Sequence, residues 1–147
     1  MANPEVFVDT SGLYALVEKN DAHHRSARRA VERLLHRGRK LVLTDYIIDE
    51  TTTLANARSG KRVAMRVLDL VEQSAGIRIE WVSSLRFEAT TTFFRKHADH
   101  GYSFTDCTSF IVMNELELTQ ALTTDKHFPE AGFEALLLPA KSVRYPG

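Results

Sequence analysis

Four carboxylates stand where their spacing could do chemistry: Asp9, Glu50, Asp106 and Asp125. Asp9 ends the apolar run V-F-V-D and Asp125 closes A-L-T-T-D, so each fits an Asx turn at a strand end as readily as a ligand position. Glu50 has a more telling context. On a helix over 44–58 its neighbours at three and four residues are Tyr46, Ile47 and Leu54, whereas those of adjoining Asp49 are Asp45, Thr52, Thr53 and Asn56. The spacing predicts that Glu50 faces the protein and Asp49 faces water. An inward carboxylate needs a cation beside it, either a bound ion or a remote arginine. Asp106 begins a helix in S-F-T-D-C-T-S-F, where a first-turn acid complements the helix dipole. Ser103, Thr105, Thr108 and Ser109 add hydroxyls around it, in the manner of a hydrated metal site.

Carboxylates gathered in one crevice repel one another and take up protons unless a cation offsets them. Oxygen donors favour Mg²⁺ or Mn²⁺, and the lack of thiolate or paired-histidine sets argues against zinc. A divalent cation with water in its shell is suited to phosphodiester hydrolysis.

Such a crevice needs elements to build it. Short apolar runs rich in β-formers at 5–8, 40–43, 78–82, 120–123 and 134–138 read as buried strands. Helical patterns at 11–20, 22–37, 44–58, 61–74, 85–97 and 106–116 lie between most of them, with Ala64, Val67, Leu68 and Val71 forming one stripe. The alternation predicts an α/β domain with a mostly parallel sheet, and such folds bind ligands outside the carboxyl ends of the strands.

Composition bounds the rest. The chain has 147 residues, 44% hydrophobic and 26% charged, which suits one domain over 1–147 with a core that needs neither disulfides nor structural metal. Lys plus Arg and Asp plus Glu are both 19, so attraction to nucleic acid or membrane must come from a local patch. One cysteine, no basic leader with an apolar run and no long apolar stretch point to a cytoplasmic protein with no membrane association.

The densest charge lies at 23–40, with six Arg and one Lys against a single Glu. Arg25, Arg29 and Arg33 share a helix edge, either a solvated face or a contact for a phosphate backbone, while Ala27, Ala30, Val31, Leu34 and Leu35 supply the buried side. His23, His24, His97 and His100 complete no metal site. His127 reads as a loop histidine, a phosphate contact being the alternative. Trp81, Phe93 and Phe94 fall on strand or helix-stripe positions that suit a core or a self-association surface better than base stacking.

V-D-T-S-G-L-Y-A-L at 8–16, T-D-Y-I-I-D-E-T at 44–51, S-F-T-D-C-T-S-F at 103–110 and A-L-T-T-D-K-H-F-P-E-A-G-F at 121–133 together resemble a PIN-domain ribonuclease of the VapC toxin type. The four motifs occur in the family's order across nearly the whole chain. The resemblance implies a three-layer α/β/α sandwich and a Mg²⁺- or Mn²⁺-dependent endoribonuclease that leaves a 5′-phosphate and a 3′-hydroxyl. It makes Asp9, Glu50, Asp106 and Asp125 the acidic site, and Thr10, Ser11 and Thr105 hydroxyls beside those acids or near the scissile phosphate. Asp9 and Asp106 would hold the metal directly, Glu50 would hold it or orient its water, and Asp125 would tune the site or bind a second ion. A toxin of this type further implies a homodimer, an RNA substrate and a cognate antitoxin protein covering the active-site groove. An RNA-maturation nuclease without an antitoxin, and a PIN-like binding module with little catalysis, are the alternative readings. A haloacid-dehalogenase-type phosphohydrolase would need a second carboxylate where Ser11 stands.

Overall fold

The computed structural model describes residues 4–139. The chain runs β1 (Val6–Val8), α1 (Thr10–Val17), α2 (His24–His36), β2 (Leu41–Thr44), α3 (Asp45–Ser59), α4 (Lys61–Gln73), β3 (Ile77–Glu80), α5 (Ser84–Lys96), α6 (Phe104–Glu115), β4 (Gln120–Leu122), α7 (His127–Glu130) and β5 (Glu134–Ala135). All five expected strands and six expected helices are present. The one-turn α7 is not expected from the sequence, because four residues containing Pro129 carry no helical period.

The sheet order is β3-β2-β1-β4-β5, and every pair is parallel. β1 and β2 are buried along their whole length, which explains their unbroken apolar runs, whereas edge strand β3 is only half-buried. Parallel neighbours require crossover connections, and right-handed crossovers fix where the helices go. The path β1 to β2 to β3 steps one way across the sheet and places α1–α4, which pack on one another, on one face. The return from β3 to β4 steps the other way and places the paired α5 and α6 on the opposite face. The result is a three-layer α/β/α sandwich whose core is centred on Phe7, Leu43, Phe110 and Leu122.

The direction of travel reverses between β1 and β4. At such a point the two outgoing connections diverge and leave a crevice beyond the carboxyl ends of the strands. Gly12 allows α1 to lie close over β4: a Cβ there would sit 2.0 Å from the Leu122 carbonyl oxygen.

Candidate active site

Asp9 directly follows β1, and Thr123, Thr124 and Asp125 directly follow β4, so both segments open into this crevice. Asp9 precedes α1 but makes no side-chain cap. Its Oδ2 instead accepts hydrogen bonds from Thr123 Oγ1 at 2.8 Å and Ser11 Oγ at 3.2 Å. Ser11 Oγ also accepts from the Thr124 backbone N–H, and Thr123 Oγ1 from that of Asp125. Two hydroxyls therefore tie the ends of β1 and β4 together and fix the Asp9 carboxylate, which is 4% exposed.

Asp106 enters from α6. Ser103 and Asp106 form a reciprocal capping box: Ser103 Oγ accepts from the Asp106 N–H and Asp106 Oδ2 from the Ser103 N–H, both at 3.0 Å. Only Ser103 of the four expected hydroxyls touches Asp106 in this way. Thr108 bonds back to the Phe104 carbonyl, and Ser109 Oγ is buried without a hydrogen-bond partner among the described residues. The hydroxyl-rich shell expected around Asp106 is thus corrected: Thr108 back-bonds to its own helix, as threonines inside helices do, and Ser109 is buried away from the carboxylate's hydrogen bonds.

Asp125 makes the Asx turn its position suggested, with Oδ1 accepting from the His127 N–H at 2.9 Å. That turn folds His127 back into the site. Its Nδ1 lies 3.1 Å from Asp106 Oδ2 and 3.2 Å from Asp125 Oδ1, and its ring packs edge-on against Tyr102. His127 is the site residue that sequence pattern alone leaves as a loop histidine. The one signal available for it is the two-residue offset from Asp125.

Glu50 reaches the crevice differently from expectation. The buried side of α3 is Ile47, Thr51 and Ala55, and Glu50 is exposed, as is Asp49. The inward stripe is rotated from the expected one and runs through Ile47, Thr51 and Ala55, so Glu50 falls off it. Glu50 stands at the stripe's edge, where Oε1 accepts a 2.6 Å hydrogen bond from Thr10 Oγ1.

The crevice has a volume of about 290 Å³, and Asp9, Thr10, Ser11, Glu50, Asp106 and Asp125 all line it. Thr105 is half-buried and does not. Arg25, Arg29 and Arg33 do not line it either; Arg58 and His23 are its basic side chains.

Electrostatics show why these acids need a counter-charge. Burial pushes the Asp9 carboxyl up to about 7, and the charges of Asp106 and Asp125 add to the rise against hydrogen bonds from Thr123 and the Thr10 backbone. Burial also raises Asp106, with the Asp125 charge adding to it. Donor atoms of Asp106, Asp125 and His127 lie within 4.8 Å of one another, close enough to share one cation. Carboxylate oxygens with one imidazole fit a divalent metal ion.

The sequence matches the PIN domain family over residues 6–134. It is 35% identical over 129 residues to the 23S rRNA-specific endonuclease VapC20 of Mycobacterium tuberculosis (strain ATCC 25618 / H37Rv), a match covering 87% of this chain and 95% of that one. The same figures hold for VapC20 of strain CDC 1551 / Oshkosh. The fold superposes on the crystal structure of M. tuberculosis VapC20, described as a sarcin-ricin loop cleaving toxin, with a TM-score of 0.77 and 32% identity over 87% of this chain and 95% of that chain. With the matched family spanning β1 to β4 and every acid of the crevice, the chain belongs to the PIN-domain family.

Proposed function

We propose that the protein is a metal-dependent endoribonuclease that hydrolyses RNA phosphodiester bonds and is the toxin of a toxin–antitoxin pair. One observation carries the reading: Asp9, Glu50, Asp106 and Asp125, from four separate segments, line one crevice at the reversal point of the sheet. The similarity to VapC20 along 95% of that protein supports it and makes the sarcin-ricin loop of 23S rRNA the first substrate to try.

Asp106, Asp125 and His127 would hold the cation, with Asp9 in the same crevice as a further donor, and Mg²⁺ or Mn²⁺ is the ion this oxygen-rich set suits. When bound, the cation neutralises charge at the scissile phosphate and makes a water acidic enough to attack near neutral pH. Thr123 and Ser11 keep Asp9 oriented, and Ser103 does the same for Asp106. Glu50, exposed at the mouth and held by Thr10, is placed to orient the attacking water on the substrate side. The antitoxin covers this mouth, and the toxin is a homodimer.

Cleavage of labelled RNA by protein purified free of any partner, with Mg²⁺, Mn²⁺ or EDTA, tests the reading. The expected result is cleavage abolished by EDTA and reduced on the order of 100-fold or more in Asp106→Asn. Equal cleavage by wild type and variant overturns it.

A further inference from the structure

The acidic crevice does not end at the carboxylates. A second cavity of about 740 Å³, lined by Lys19, Asn20, Ser59 and Arg66 among others, shares Tyr14, Asp21 and Arg58 with it. The two form one continuous groove. We propose that its outer part is the track for the RNA phosphate backbone on one side of the cleavage point, with Arg58 and Arg66 as the phosphate-binding side chains. The proposal rests on the nuclease reading and adds to it where the substrate lies.

The crevice itself repels a polyanion, since Asp9, Glu50, Asp106 and Asp125 are all in it. Phosphate contacts supply most sequence-independent affinity for nucleic acid, so a neutral protein with an acidic site needs cations close by and free to bind. Arg58 and Arg66 meet that need. Neither has an ion-pair partner among the described residues, whereas Arg78 and Arg86 on the opposite side of the sheet are paired with Glu5, Glu80 and Glu115.

The groove's own carboxylates are already engaged. Glu18 is held below the usual range by hydrogen bonds from Ser59 and the Asn20 N–H, with the Arg66 charge adding to them. Asp21 Oδ1 accepts from the His23 N–H at 2.8 Å. The groove is anchored as well: Tyr14 Oη and Ser59 Oγ lie 2.7 Å apart, tying α1 to the end of α3 beside Arg58. Gly60, at a φ of 91° open to glycine but not to other residues, turns the chain so that α4 brings Arg66 back to the same groove. The denser basic edge of α2 offers no such placement, because Arg25, Arg29 and Arg33 line neither cavity.

The test is binding of a fluorescein-labelled single-stranded RNA by the full chain in EDTA, read by anisotropy over a salt series. Arg58→Glu and Arg66→Glu are compared with Arg29→Glu, which carries the same change of net charge. All three side chains are exposed, and thermal melts confirm that each variant is folded. The expected result is a drop on the order of tenfold in affinity for each groove variant, with Arg29→Glu within about twofold of wild type. The salt slope should fall by about 0.7 for each phosphate that is no longer neutralised. Groove variants that bind as wild type does, an equal drop in Arg29→Glu, or no RNA binding by the wild type overturns the proposal. RNA binding through the groove without cleavage under any metal instead overturns the nuclease reading and leaves the groove standing.

Discussion

Thr123 carries more of the site than its size suggests. Its hydroxyl donates to Asp9, accepts from the Asp125 N–H and lies 3.1 Å from Ser11 Oγ. Thr123→Val keeps the shape and removes all three interactions. Losing a hydrogen bond that favours the charged form should raise the Asp9 carboxyl further and leave Asp125 less fixed. The expected outcome is roughly 10–100-fold weaker cation binding, measured by calorimetry, with little change of fold by circular dichroism. The Asp9 carboxyl itself makes stability depend on pH. Its folded value of about 7 lies above its unfolded one, so the folded state holds the extra proton and is favoured at low pH. That contribution is complete below the unfolded value and is lost as pH rises through about 7. Metal-free protein should therefore melt at progressively lower temperature between pH 5 and pH 8, in the range of roughly one to a few degrees. A saturating divalent cation should flatten that slope, and Asp9→Asn should flatten it without metal. Persistence of the full slope in Asp9→Asn would assign it to another group.

At the scale of elements, the placement of α1 over β4 decides whether Asp9, Thr10 and Ser11 meet Thr123 at all. Alanine normally favours a helix over glycine by about 1 kcal/mol. At position 12 the sign should reverse, because the added Cβ meets the Leu122 carbonyl, a backbone group that cannot swing aside. Gly12→Ala should lose about 1–3 kcal/mol in urea unfolding and weaken cation binding together with stability. Helix α6 has a comparable double duty. The reciprocal bonds of Ser103 and Asp106 start the helix and also fix a carboxylate of the crevice, so one structure serves as cap and as site wall. Asp125 combines two duties in the same way, holding an Asx turn while lining the crevice.

For the whole molecule, the exposed apolar side chains fall on two regions: Leu35, Met65 and Leu68 on the layer of α2 and α4, and a larger aromatic group at and after the end of β3. Trp81, Leu85, Phe87 and Phe94 are all solvent-exposed, and Phe87 and Phe94 both pack on Phe104 at the start of α6. A patch of this kind is unusual on a monomer and suits the surface of the expected homodimer. Leu85 is 76% exposed, so replacing it cannot empty the core. Leu85→Glu should shift the protein from dimer to monomer in sedimentation velocity while leaving its melting temperature and cation affinity nearly unchanged. A dimer that survives Leu85→Glu and Trp81→Glu together would place the interface elsewhere. No helix among the described residues is long and apolar enough to cross a membrane.

Local pattern alone located the strands, most helices and the segments that carry the four candidate acids, because side-chain periodicity and strand-end turns are short-range properties of the chain. Position 9 must end a strand that is apolar throughout, and position 106 must lie in a helix's first turn, whatever the fold around them. The tertiary structure decided what each acid faces. Glu50 illustrates this: its neighbours along α3 suggested burial, but the rotation of that helix depends on what packs beneath Thr44 and Ile47, and it leaves Glu50 at the mouth. Thr105 illustrates the converse, since a residue next to a site acid in sequence is turned about 100° away on a helix and lies outside the crevice. Arg58 became a candidate only in three dimensions, and His127, a loop histidine or phosphate contact by sequence, there gained its place beside Asp106 and Asp125. The Asx turn that aims His127 is local, but its meeting with Asp106 and the anchoring of the end of α3 to Tyr14 beside Arg58 join segments far apart in the chain.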